Sequence, residues 1–131
     1  MASFCQQRRI KRDKKLLEMA ALVKDTFEPL LKLSGSSDID LFIQIIQTDG
    51  GMLTCAINAA CLALVDAGIP MSDYVVACSA GFVSNQCILD LNYIEEGPIP
   101  CVSLAIQPKS GKTVMMSVIL GNVDGGAATP R

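Results

Sequence analysis

The sequence predicts an α+β domain. Two observations carry this. The hydrophobic period switches from helix to strand and back within the first 67 residues, and from residue 74 onward four β-rich runs are parted by turn residues. The expected order is helix, strand, helix, then strands.

Each element follows from its residues. In "KKLLEMAALVKDTFEPLLKL" the apolar residues at 16, 19, 20, 23, 27, 30 and 31 share one helix face. Pro29 lacks an N–H, so the helix should kink or split near Glu28. "SGSSD" at 34–38 reads as a turn. "IDLFIQIIQ" at 39–47 alternates loosely and is β-branched, which predicts a strand with at least one buried face. Gly50-Gly51 then opens a helix over 53–67, stopped by Gly68 and Pro70. Its alanines make it thin, so it should pack closely and lie mostly buried. Strands follow at 74–83, 86–93, 101–108 and 113–120, joined by "SN", "EEGPIP" and "KSGK". Such short connections predict an antiparallel meander. Strand 39–47 and its helix look too apolar for so few neighbours, so the domain is either incomplete or completed by a partner.

Composition narrows the chemistry. Half of the 131 residues are hydrophobic, which predicts a core-rich globular chain, and no apolar run is long enough for a membrane span. Histidine is absent and the six cysteines form no C-x-x-C pair, which argues against the usual zinc sites and removes Ser-His and Cys-His nucleophile pairs. Five of the cysteines lie in apolar runs and are expected as small core residues of a reducing compartment. Residues 1–15 hold six cations against Asp13 alone, a net +5, and the remainder carries −7. A basic arm at 1–15 on an acidic body suits an anionic partner such as RNA; a solvated terminus or an import signal is the alternative. The tail at 121–131 is Gly/Ala-rich and expected to be disordered.

Several pieces, in one order and at fixed spacings, carry a resemblance: "QTDGG", "NAACLALVDAGIPM", "ACSAGFV" and "LDLNYIEE". They resemble the RNase PH family, and within it the RNA exosome ring subunit whose archaeal counterpart is phosphorolytic. The resemblance runs over roughly residues 6–120. It implies an RNase PH-like (ribosomal protein S5 domain 2-like) fold with a left-handed βαβ crossover, here over 16–120 and without the family's N-terminal strands and C-terminal helix. It also implies a hetero-hexameric ring with other RNase PH-like subunits, S1/KH cap subunits and RNA as partners, no membrane, and work in nucleus, nucleolus and cytoplasm.

In active relatives phosphate attacks the RNA 3′ end, a step that rests on positioning and charge neutralisation. The resemblance places the phosphate cradle at Gly50, Gly51, Met52, Leu53 and Thr54, where glycines and a helix start offer free N–H groups. Active relatives carry a small hydroxyl residue and an arginine where Met52 and Leu53 stand. They carry an acidic pair where this chain has Ser84 and Asp90, and across a hairpin these two positions are expected to approach one another. A structural reading puts Asp90 on the solvent face of a strand, with Leu89 and Leu91 pointing inward. RNA contacts are expected from Arg8, Arg9, Arg12, Lys14 and Lys15, with Lys15 replacing a family arginine. Glu18 matches a family position near the helix start. The expectation is a non-catalytic exosome ring subunit with no metal and no cofactor. An active phosphate- and magnesium-dependent exoribonuclease and a shortened form that does not assemble are the alternatives.

Overall fold

The computed structural model describes residues 9–32 and 38–120, with side chains described from Lys14 onward. Arg8 and the tail at 121–131 lie outside the described residues, as does most of the predicted turn at 34–38.

Helix α1 (Arg9–Phe27) starts within the basic segment, so the backbone from Arg9 to Lys15 is helical. It stops at Phe27, two residues before Pro29, and Glu28–Leu30 form a turn. Helix α2 (Met52–Asp66) ends as read, with Gly68 at a positive φ of 68° beyond its cap. Four strands follow, β1 (Val76–Val83), β2 (Gln86–Leu89), β3 (Cys101–Ile106) and β4 (Thr113–Ile119), with a short helix α3 (Tyr93–Glu96) between β2 and β3.

The sheet is antiparallel throughout, but its order is β2-β1-β3-β4, not that of a meander. A meander would put β1 at the edge. Here the 90–100 connection, with α3 in it, returns the chain to β1's other side. The β1–β2 hairpin turns on Ser84 and Asn85, both at positive φ (46° and 66°). That is the backbone a two-residue hairpin requires, and asparagine tolerates it well.

The core lies between α1, α2 and one face of the sheet. Val23 and Phe27 of α1 meet Ile57, Ala60, Cys61 and Leu64 of α2, and these meet Val75, Ala77, Ala105 and Met115. The fully buried Ile57 lies among them. Asn58 locks the helix to the sheet. Its side chain donates to Ala77 O (2.9 Å) and accepts from Ala77 N–H (2.8 Å). β2 pairs only with Ala80 to Val83, so the Asn58 amide supplies the ladder partner that β2 does not extend far enough to provide.

Three expectations fail for one reason, the lack of a covering layer among the described residues. Segment 39–47 belongs to no strand, with Phe42 92% and Ile46 93% exposed. A strand needs a neighbour to accept its N–H groups, and no described strand lies beside this one. The cysteines divide likewise: Cys61 and Cys101 are buried, but Cys55, Cys78 and Cys87 are exposed. Cys5 is outside the described residues. On α2 the core-facing stripe is buried, but Leu62 and Val65 of the opposite face are exposed, so the helix is half covered rather than mostly buried.

Candidate anion cradle

The loop before α2 and the loop after β2 are clamped together. Gly50 adopts φ 103°, and a Cβ there would lie 2.2 Å from Leu91 O, so only glycine fits. Leu91 is buried and sits on Gly81 of β1, where a Cβ would meet its methyl carbons at 2.7 and 2.8 Å. Asp49 Oδ1 accepts from the Tyr93 N–H at 3.4 Å. Asn92 caps α3 by accepting from the Ile94 and Glu95 N–H groups, while Glu95 accepts from the Asn92 N–H. This capping box is the helix start that the strand expectation over 86–93 missed; its N-x-x-E signature stands at 92–95.

Strand β2 therefore ends at Leu89, and Asp90 turns into the left-handed region at φ 59°. That turn breaks the side-chain alternation. Leu89 is 72% exposed and Leu91 only 2%, so they do not both point inward. Asp90 is not on a strand face either. Its N–H donates to Ser79 O (3.0 Å), and its carboxylate reaches the start of α2.

Gly51, at φ 57°, is the N-cap of α2, and no side chain caps this helix. The space that a Cβ would fill at Gly51 is bordered by three oxygens: Thr54 Oγ1 at 3.4 Å, Asp90 Oδ1 at 3.5 Å and Ser79 Oγ at 3.7 Å. Thr54 Oγ1 donates to Gly51 O at 2.8 Å. Ser79 Oγ is buried and has no hydrogen-bond partner. The first N–H groups of α2 are unclaimed by helix geometry and carry the positive end of its dipole. Together they form a small polar cluster at the helix start.

The predicted residues divide sharply. Asp90 lies beside Gly51 and Thr54, a juxtaposition the sequence reading did not foresee, and Met52 and Leu53 open α2, half-buried. Ser84 does not join them. It sits at the hairpin tip, whereas Asp90 lies opposite Ser79, so five residues of strand, roughly 16 Å, separate the two levels. The residue beside Asp90 is Ser79, which the sequence reading missed. Its signal was present: Ala77, Ser79 and Gly81 share the inward parity of β1, and a serine between two small apolar residues on that face is a buried polar group. Lys14, Lys15 and Glu18 are exposed on α1.

The chain belongs to the 3′ exoribonuclease family. The family's domain 1 matches residues 1–70 and its domain 2 residues 73–118. Among curated relatives, it is 42% identical over 116 residues to the human exosome complex component RRP41, covering 86% of this chain and 47% of that protein. The Arabidopsis thaliana RRP41 homologue is 42% identical over 123 residues, covering 90% and 51%. Exosome component Rrp41 of Pyrococcus horikoshii is 41% identical over 100 residues, covering 73% and 40%. The crystal structure of rice Rrp46 matches with a TM-score of 0.70 at 27% identity, covering 85% of this chain and 54% of that one. The chain thus spans about half the length of the curated relatives it matches.

Proposed function

We propose that the chain is a ring subunit of an RNA exosome that contributes structure and part of an RNA path, without phosphorolysis of its own. The observation that carries this is the charge of the cradle. The loops 48–54 and 90–96 hold four carboxylates, Asp49, Asp90, Glu95 and Glu96, and no lysine or arginine. Phosphoryl transfer to a phosphate nucleophile needs cations there, and Met52 and Leu53 supply none. The residue at the first acidic position, Ser84, is uncharged and distant from Asp90. In this reading the partners are other RNase PH-like subunits in a hetero-hexameric ring, S1/KH cap subunits and RNA, in the nucleus, nucleolus and cytoplasm. Lys14 and Lys15, with Arg8, Arg9 and Arg12, are the RNA backbone contacts, binding without sequence preference and weakening with salt. The basic segment at 1–15, the domain at 16–120 and a tail at 121–131 are its working parts.

The test uses the full chain co-expressed with ring partners, then RNA and inorganic phosphate. We expect co-purification, and no nucleoside diphosphate above the level of an Asp90→Asn ring. Diphosphate release by the wild type alone would replace this reading with the active exoribonuclease, which would require phosphate and magnesium. A chain that never enters the ring would replace it with the non-assembling form, which the exposed apolar segment 39–47 favours.

A further inference from the structure

We propose that the outer face of the four-stranded sheet is an isologous interface, covered by the same face of a second copy of this chain. The inference goes beyond the ring reading and does not rest on it. The sheet is inverted in polarity. Its helix-covered face carries a serine row, Ser79, Ser103 and Ser117, matched across β1, β3 and β4. Ser79 and Ser103 are buried there. The opposite face has a row running across all four strands, Leu89, Ala80, Val102 and Val118. The flanking rows are apolar too, save Thr113 beside the register shift between β3 and β4, and no charged residue lies on this face. An antiparallel sheet that meets water on one side carries polar residues there. This face is built as an interior.

Three observations point to a second copy as its cover. Residues 1–8, 33–37 and 121–131 do not supply it, because their large apolar side chains are only Met1, Phe4, Leu33 and Val123. Charge then decides which surfaces of two copies can meet. Residues 33–108 hold eight carboxylates and no lysine or arginine. Acidic surfaces of two copies repel, whereas the uncharged sheet face meets its own copy without like-charge contact. Homodimer interfaces are apolar and poor in charge in the same way. The area also suffices. Four strands about 4.8 Å apart and about six residues long span roughly 400 Å² in projection. Ridged side chains expose more than their projection, so two stacked copies bury on the order of 1,000 Å², the low end of a specific interface. The dimer is therefore weak and reversible, and its two-fold axis closes it at two copies.

The experiment is sedimentation velocity on the full chain from about 1 to about 200 µM. A reversible monomer–dimer equilibrium is expected, with a Kd on the order of 10 µM. Met116→Glu and Phe82→Glu each place a carboxylate on the face, at side chains 65% and 53% exposed. Each is expected to weaken the dimer at least about tenfold with an unchanged circular dichroism spectrum. Phe42→Ser with Ile46→Ser, which removes association through segment 39–47, is expected to dimerise like the wild type. A second readout needs no variant. Cys78 lies on the face, opposite Leu104, and Cys55 lies on α2, away from it; both are exposed in the single chain. Raising the protein concentration is expected to slow iodoacetamide labelling of Cys78 and to leave that of Cys55 unchanged. A wild type that stays monomeric throughout would overturn the proposal. So would folded glutamate variants that dimerise as well as the wild type, oligomers that grow past two copies, or equal slowing at both thiols.

Discussion

The cradle and segment 39–47 adjoin in sequence and differ in almost every physical respect. At Gly50 two loops touch so closely that no side chain fits between them. A few residues earlier, Phe42 and Ile46 stand almost wholly in solvent. The outer face of the sheet resembles the second region: Val76, Phe82, Met116 and Val118 are all more than half exposed. The difference teaches where the chain satisfies its own groups. Around the cradle, many polar groups find their partners inside the chain: Asp49 with Tyr93, Asn92 with Glu95, and Asn58 of α2 with Ala77. Along 39–47 and on the outer sheet face, apolar surface is left for something else to cover.

The largest effect that can break this comparison is at Gly50. Gly50→Ala forces a Cβ against a backbone carbonyl at a positive φ and should cost about 3 to 5 kcal/mol in chemical denaturation, if the cradle is the rigid half. Ile57→Ala, from the fully buried site on α2, should cost about 2 to 5 kcal/mol. Next comes Asn58→Ala, which strands both backbone groups of Ala77. A loss of about 2 to 4 kcal/mol is expected, with faster hydrogen exchange at the Ala77 amide. Unchanged exchange there would sink the view that the side chain completes the ladder. The open region should respond oppositely. Phe42→Ser with Ile46→Ser should shift stability by less than about 0.5 kcal/mol and lower self-association by light scattering. A loss as large as that of Ile57→Ala would mean the segment is buried in the protein as it exists.

The smallest effect concerns the thiols. Burial, and secondarily the nearby Glu96 charge, push the Cys101 thiol above its ordinary 9.0. Its proton is held more tightly in the folded protein, so this contribution to stability is full below pH 9 and fades as pH rises beyond it. Iodoacetamide at pH 8 should modify Cys55, Cys78 and Cys87 well before Cys101.

Local chemistry made much of this legible. Gly68 and Pro70 mark the end of α2, Pro29 the end of α1, and Ser84-Asn85 the hairpin turn, because each acts through its own backbone. The cradle glycines were legible for the same reason. Strand 39–47 was not, since β-branched residues state a preference that only a neighbouring strand can realise. The expected meander failed because turn length says which strands are close in sequence, not on which side of β1 a longer connection returns. The resemblance pairs Ser84 with Asp90, although a hairpin tip and a hairpin base lie at opposite ends.

By itself, the sequence determined the α+β class, the family, the bare and acidic cradle, and the missing cation, because these are matters of residue identity and period. Tertiary structure alone decided that Ser79 rather than Ser84 accompanies Asp90, and that Asn58 completes β1. It also decided which cysteines are covered. The physical reason is common to all three: burial and hydrogen-bond satisfaction depend on which distant segments meet, and no local preference encodes that.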